Sequence, residues 1–227
     1  MALVPIYNTE CLVEAGVDEA GRGCLAGDVY AAAVILPPGY DNPALNDSKQ
    51  LSARRREALR QEIERDALAW SVGVATVEEI DRLNILRAAL LAMHRALDSL
   101  AVRPEFIAVD GNKFIPYGDT PYATVVKGDG RVQTIAAASI LAKTHRDEYM
   151  RRLHGQHPQY GWDRNAGYGT REHRAALRQH GLTPYHRRSF NLLGDGQLSL
   201  SSERALARSY DCSNNASTSP LQLVEAL

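Results

Sequence analysis

The sequence has little of what a membrane protein, a secreted disulfide scaffold or a zinc module needs. No apolar run in its 227 residues approaches the roughly 20 that span a bilayer. The opening segment, MALVPIYNTE, is too short and too polar for a signal peptide. Cysteine is scarce: Cys11, Cys24 and Cys212 are odd in number and widely spread. That pattern excludes a disulfide framework and a zinc ribbon, and it predicts a reducing compartment. What is present is ordinary globular composition, 44% hydrophobic and 23% charged, enough to bury a sizeable core. These features predict a soluble, cytoplasmic protein with no membrane partner, and a monomer is expected. Its expected organisation is one domain over residues 1–193 and a Ser- and Asn-rich tail over 194–227, disordered or loosely docked.

The net charge of −1 conceals an uneven distribution. Residues 1–110 carry 11 Lys/Arg against 17 Asp/Glu, whereas residues 111–194 carry 13 against 6 and hold six of the seven histidines. A basic segment joined to an acidic one suits a polyanionic partner for the former, although surface charge fluctuates along any chain.

Hydrophobic spacing predicts strands over Leu12–Glu19, Asp28–Leu36, Ala69–Ala75, Phe106–Asp110 and Tyr122–Val126. Ser52 is placed to cap a charged helix running to about Ala67, and Thr76 with Glu79 reads as a capping box. Asn84 is expected to cap the apolar helix ILRAALLAMHRAL. A small-residue helix runs from Val132 to about Leu153, and a last one from Glu172 to Gln179. Between them lies a turn-rich stretch from Gly155 to Gly169. No internal repeat is visible. Strands grouped first and alternating with helices later predict an α/β fold with a mixed sheet and helices on its faces.

Two of these strands end in carboxylates, Asp18-Glu19 and Asp110, and Asp129 follows a third in a glycine-flanked loop. Carboxylates gathered at strand ends without cysteine or histidine form a hard oxygen site, suited to Mg²⁺ or Mn²⁺. Two such ions about 4 Å apart stabilise both attacking and leaving oxygens of a phosphoryl displacement. Neighbours in a strand point to opposite faces, so Asp18 and Glu19 share one site only if the strand ends there. Any one of these acids alone is equally well a solvated strand-end residue. Gly21-Arg22-Gly23 beside them offers close backbone approach and a guanidinium fork for phosphate, or is a tight turn with a surface arginine. Lys49 and Lys127 are phosphate contacts or solvated loop lysines. Asp147 is explained by an ion pair with Arg151 at i+4. His145 and His186 either assist proton traffic or make structural hydrogen bonds. Tyr168, between two glycines, is a loop anchor or a projecting ring.

In order along the chain stand DEAGRG (18–23), LAG (25–27), DSK (47–49), VDG (109–111), KGD (127–129), AASILAK (137–143), GYGT (167–170) and HRRSF (186–190). Together, over about residues 13–193, they resemble bacterial ribonuclease HII, the type 2 ribonuclease H. The resemblance implies a ribonuclease-H-like fold, with a mixed five-stranded central sheet flanked by helices and a C-terminal helical extension. It implies Mg²⁺- or Mn²⁺-dependent endonucleolytic hydrolysis of RNA in RNA–DNA hybrids, leaving 5′-phosphate and 3′-hydroxyl ends. Incision of duplex DNA at an embedded ribonucleotide is implied as well. By position, Asp18, Glu19, Asp110 and Asp129 would hold the two metals, Gly21-Arg22-Gly23 would read the 2′-hydroxyl, and Tyr168 would stack on the following sugar. The family commonly has prolines where this chain has Cys24 and Asp28, and Asp28 places a negative charge near the substrate turn.

Three rival readings remain. Another two-metal phosphotransferase on the same fold would cut without needing a 2′-hydroxyl. A non-catalytic nucleic-acid-binding module would have lost an acid, and all four are present. Ribonuclease HIII would need an extra domain before Asp18.

Overall fold

A computed structural model describes residues 3–194, so the expected tail lies almost entirely outside the described residues. Five strands, β1 (Glu14–Ala20), β2 (Val29–Ile35), β3 (Ala69–Ala75), β4 (Phe106–Asp110) and β5 (Tyr122–Val125), form one sheet in the order β3-β2-β1-β4-β5. The β1–β2 and β2–β3 pairs are antiparallel, while β1–β4 and β4–β5 are parallel. The mixed five-stranded sheet expected from the sequence is therefore present. Among the described residues no helix is long and apolar enough to cross a membrane.

Helices cover both faces because both faces of β1 and β2 are apolar. On one side Ala15, Val17, Ala31 and Ala33 meet α2 (Val77–Leu83) and α3 (Ile85–Asp98). On the other, Ala32 and Val34 meet α1 (Ala53–Asp66) and the 24-residue α4 (Gln133–Gln156). The caps form as expected: Ser52 accepts from Arg55 N, and Thr76 and Glu79 close a reciprocal box. Asn84, at φ 72, ends α2 and caps α3 by accepting from Leu86 N and Arg87 N.

Each sheet face has one glycine where a helix backbone touches it. A Cβ on Gly16 would fall well inside contact distance of the Thr134 carbonyl on α4, and one on Gly73 would strike the Ala92 carbonyl on α3. Backbone on the other side cannot swing aside as a flexible side chain can. Gly16→Ala is therefore expected to destabilise the fold by about 3 kcal/mol, the upper range for overpacking, with a Tm drop of several degrees in thermal unfolding.

At about 1.5 Å per residue α4 is roughly 36 Å long and outlasts the sheet. Its far end, Met150 and Leu153, packs with Leu25, Ala26, Tyr160, Trp162, Ala176, Leu177 and Leu192 in a separate apolar cluster. That cluster contains α5 (Trp162–Asn165) and α6 (Arg171–His180) and constitutes the C-terminal helical part. The turn-rich stretch Gly155–Gly169 holds a 3-10 turn (Pro158–Tyr160) and α5, each too short to show a helical period.

Candidate active site

The parallel register pairs Val17 with Val109. That alone brings the next residues, Asp18 and Asp110, side by side at the C-terminal edge of β1 and β4. β1 does not stop at Glu19, as a shared site seemed to require; it pairs with β2 through Ala20. Asp18 consequently faces α4, hydrogen-bonded to Ser139, while Glu19 faces the α3 side and pairs with Arg22 Nη1 at 3.1 Å. Asp110 bridges them electrostatically, since its charge reaches both.

The turn after β5 returns Asp129 to the same edge. Lys127 takes a left-handed backbone (φ 56), which folds Gly128–Gly130 back. Gly128 N then donates to Asp110 Oδ1 at 2.7 Å. Asp129 is 5% exposed and Asp18 only 4%, so both carboxylates are held largely out of water. Lys49 supplies the compensating cation: its Nζ lies 3.1 Å from Asp129 Oδ2 and 3.8 Å from Asp47 Oδ1. Lys127 is exposed, so the structure brings Lys49 onto the acids and leaves Lys127 outward.

Burial first, then the neighbouring Glu19 and Asp110 charges, push the Asp18 carboxyl well above its ordinary range. Burial also raises Glu19 despite the opposing pull of Arg22, and burial with the Asp129 charge raises Asp110. Burial opposes ionisation of Lys49, but the Asp129 hydrogen bond and surrounding carboxylates outweigh it and raise its pKa. The four acids share a neighbourhood without yet converging. Among the described residues, no three His, Cys, Asp or Glu side chains stand close enough to hold an ion as they are. The donor set itself fits a hard divalent cation: it is all carboxylate oxygen, its ionisation is opposed by mutual repulsion, and an ammonium already lies against it.

The second cluster faces the same edge. Gly21, at φ 99, turns the chain after β1, and a Cβ on Gly23 would lie 3.9 Å from the ring of Tyr168. Tyr168 is 45% exposed, so its ring is partly packed beside Cys24 and partly open to solvent. Its backbone, by contrast, is fastened. It bridges to Cys24, and its carbonyl accepts from Thr170 N (2.8 Å) and His173 Nδ1 (2.9 Å).

The ribonuclease HII family profile matches residues 15–193. Over 198 residues the chain is 63% identical to ribonuclease HII of Bacteroides thetaiotaomicron, covering 87% of this chain and 98% of that one. The chain belongs to the ribonuclease HII family. It is accordingly an endoribonuclease that hydrolyses RNA in RNA–DNA hybrids and at ribonucleotides embedded in DNA. Its fold is similar to the crystal structure of ribonuclease H2 from Pyrococcus horikoshii OT3, with a TM-score of 0.69 at 25% identity, covering 80% of this chain and 95% of that one. Bst-RNase HIII in complex with Mn²⁺ shares the fold at 18% identity and a TM-score of 0.60, covering 88% of this chain and 70% of that one.

Three expectations about individual residues are corrected or decided by the structure. Asp147 pairs with Lys143 at 2.5 Å and lies 4.0 Å from Arg56; Arg151 reaches only its backbone carbonyl. Asp28 turns inward, accepting from Val77 N at the start of α2, and burial raises its pKa. His145 and His186 make structural hydrogen bonds. His145 bonds Glu64 beside the Trp70 ring. His186 accepts from Thr183 N and sits 3.2 Å from His173 Nε2. The Tyr168 carbonyl can only accept, so His173 carries its proton on Nδ1 and its Nε2 accepts from Trp162 and His186. Burial, then the His173 neighbour, depresses His186 to about 3, so the pair is neutral.

Sequence reading gave no role to Ser139, His173, Arg146 or Arg187. Only the pairing of distant segments, which no local pattern encodes, brings them to the site.

Proposed function

We propose that Asp18, Glu19, Asp110 and Asp129 hold two Mg²⁺ or Mn²⁺ ions, Asp18 and Glu19 reaching the sheet edge from opposite faces of β1 with the Asp110 charge acting on both, and that Gly21-Arg22-Gly23 and Tyr168 select the ribonucleotide beside them. The observation that carries this reading is the meeting of Asp18 and Asp110 through the β1–β4 register, with Asp129 returned to Asp110 by the Gly128 amide. Bound ions would supply charge stabilisation to the attacking and leaving oxygens of an in-line phosphodiester hydrolysis. The chain's own residues do the rest. Ser139 orients Asp18, and the Gly128 amide orients Asp110. Lys49 pairs with Asp129 and would offer its ammonium to a substrate phosphate at the same edge. The Gly21–Gly23 backbone can approach the 2′-hydroxyl, the group by which a protein tells RNA from DNA. Arg22, half-exposed, is free to exchange Glu19 for phosphate. Products would carry 5′-phosphate and 3′-hydroxyl ends.

Cleavage-site mapping tests the reading directly. Duplex DNA carrying one ribonucleotide is incubated with enzyme and Mg²⁺ or Mn²⁺, and a single cut beside the ribonucleotide is expected. Cutting of all-DNA duplex at the same rate would overturn it in favour of another two-metal phosphodiesterase. We further place the enzyme in the cytoplasm, where Cys11 and Cys24, both free thiols, stay reduced.

Affinity should also depend steeply on salt, because residues 111–194 carry the excess of Lys and Arg. Each phosphate contact releases counterions, so log K is expected to fall linearly with log salt at roughly −0.9 per contact on B-form duplex. Binding measured in Ca²⁺, which is expected to support docking without cutting, gives the slope. A flat profile would contradict the assigned role of the basic segment.

A further inference from the structure

Behind the Gly21–Gly23 turn lie two arginines almost wholly out of solvent, Arg146 (1% exposed) and Arg187 (0%). Among the described residues neither forms a salt bridge; backbone carbonyls take the guanidinium protons instead. Arg187 donates from Nε (2.9 Å) and Nη2 (2.7 Å) to the Gly27 carbonyl and from Nη1 (3.0 Å) to that of Arg22. Both of its acceptors belong to one loop. Arg146 is different. It donates from Nε to Asp28 O (3.0 Å), from Nη2 to Ala26 O (3.0 Å) and from Nη1 to Ala166 O (2.9 Å). One side chain thus joins the loop after β1 to the turn that carries Tyr168.

Gly21 makes room for this arrangement. A Cβ there would overlap Arg146 Nε and lie 2.6 Å from its Cδ, and the φ of 99 is itself a glycine conformation. The guanidinium therefore occupies the space that a side chain at Gly21 would fill. Leu25 N donates to Gly167 O (2.8 Å) across the same seam. A planar fork with fixed donor directions holds three carbonyls in one geometry, whereas an ammonium on a flexible stem does not.

We propose that Arg146 is a positioning residue for ribonucleotide recognition. It fastens the Gly21–Gly23 turn to the Tyr168 turn before nucleic acid arrives, so that 2′-hydroxyl selection is built into the free enzyme. Preorganisation of this kind adds specificity by removing the ordering cost from the binding step. The proposal rests on the reading of Gly21–Gly23 and Tyr168 as the ribonucleotide contacts. Arg146 touches neither substrate nor the carboxylates in it.

The test compares Arg146→Lys with the parent enzyme in Ca²⁺, measuring Kd for a duplex with one ribonucleotide and for the same duplex in all-DNA form. The Tm shift on adding Mn²⁺ reports separately on the carboxylate site. The variant is expected to lose about tenfold in its preference for the ribonucleotide duplex, with all-DNA affinity and the Mn²⁺ shift little changed. A folded variant that keeps the parent's preference overturns the proposal. So does loss of preference, all-DNA affinity and Mn²⁺ shift together, which is general loosening. Absence of any preference in the parent enzyme overturns instead the underlying reading, and the proposal with it. Amide exchange of the unaltered free enzyme gives a second measurement that does not depend on the variant folding. The Leu25 and Gly27 amides, bonded to Gly167 O and Tyr185 O, should exchange as slowly as those of β1. Fast exchange that slows only when nucleic acid binds would show a turn formed by substrate, and would overturn preorganisation.

Discussion

Asp110→Asn is expected to abolish cutting while producing a protein that, without metal, unfolds at a higher temperature than the parent. Asp110 stands between Asp18 and Asp129, and its pKa is raised by burial and then by the Asp129 charge. A carboxyl whose folded pKa is raised binds its proton more tightly in the folded chain. Its favourable contribution is present below the ordinary carboxylate range and is lost as pH rises through the raised pKa. Asp18 and Glu19 are shifted in the same direction, so the metal-free site is a source of instability at neutral pH. Asparagine keeps the shape, and its side-chain carbonyl can still accept from Gly128 N, but it removes one charge. Tm should then rise by about 2–4 °C for each kcal/mol of repulsion relieved. The metal-free Tm of the parent should also fall more steeply than that of the variant as pH is raised from about 4 to 7. Turnover should fall by roughly two to three orders of magnitude, the usual consequence of deleting one preorganised electrostatic contact to a transition state. Assays under saturating Mg²⁺ or Mn²⁺, run alongside thermal unfolding, check both halves. Near-parental turnover would show that Asp110 is no ligand.

Most elements were legible because they are local. The β3 and β4 spans match the apolar runs, and Ser52, Thr76 and Asn84 cap helices through bonds that reach only a few residues. The site was legible as an inventory of acids, glycines and basic residues, but not as an arrangement. Asp18 and Asp110 meet through a parallel pairing across about ninety residues of chain, and no spacing rule states that register. The same limit hid Arg146. Within AKTHRDEYM it resembles any charged helical residue, and only the fold reveals that its guanidinium is buried against carbonyls from two other segments. Asp147 failed for a simpler reason. Of two basic residues at i−4 and i+4, both satisfy helix spacing, and only the structure shows that Asp147 pairs with Lys143 and Arg56.

Tyr168→Ala is expected to cripple cutting at a single embedded ribonucleotide, whereas Tyr168→Phe should retain most of it. The backbone at Tyr168 is held independently of the ring, by the bridge to Cys24, the Tyr168 N–Asn165 O bond at 2.8 Å and the two bonds to its carbonyl. Alanine should therefore leave the turn in place and remove only the exposed face. The phenol is neutral at working pH, its pKa raised by burial and by Cys24 beside it. A hydroxyl that carries no charge adds little to stacking on a sugar, which needs a flat apolar surface. Loss of an aromatic platform under one nucleotide costs about 1–3 kcal/mol, so alanine should lose roughly tenfold or more. The loss should be largest on duplex DNA with one ribonucleotide, where a single 2′-hydroxyl is the one feature that sets the substrate apart from DNA. A continuous hybrid offers alternative registers, and there the deficit should be smaller. Initial rates on both substrates, with circular dichroism to confirm folding, decide the matter. Parental rates for alanine on the single-ribonucleotide duplex would remove Tyr168 from recognition, and equal defects in folded Phe and Ala variants would transfer the role from the ring face to the hydroxyl.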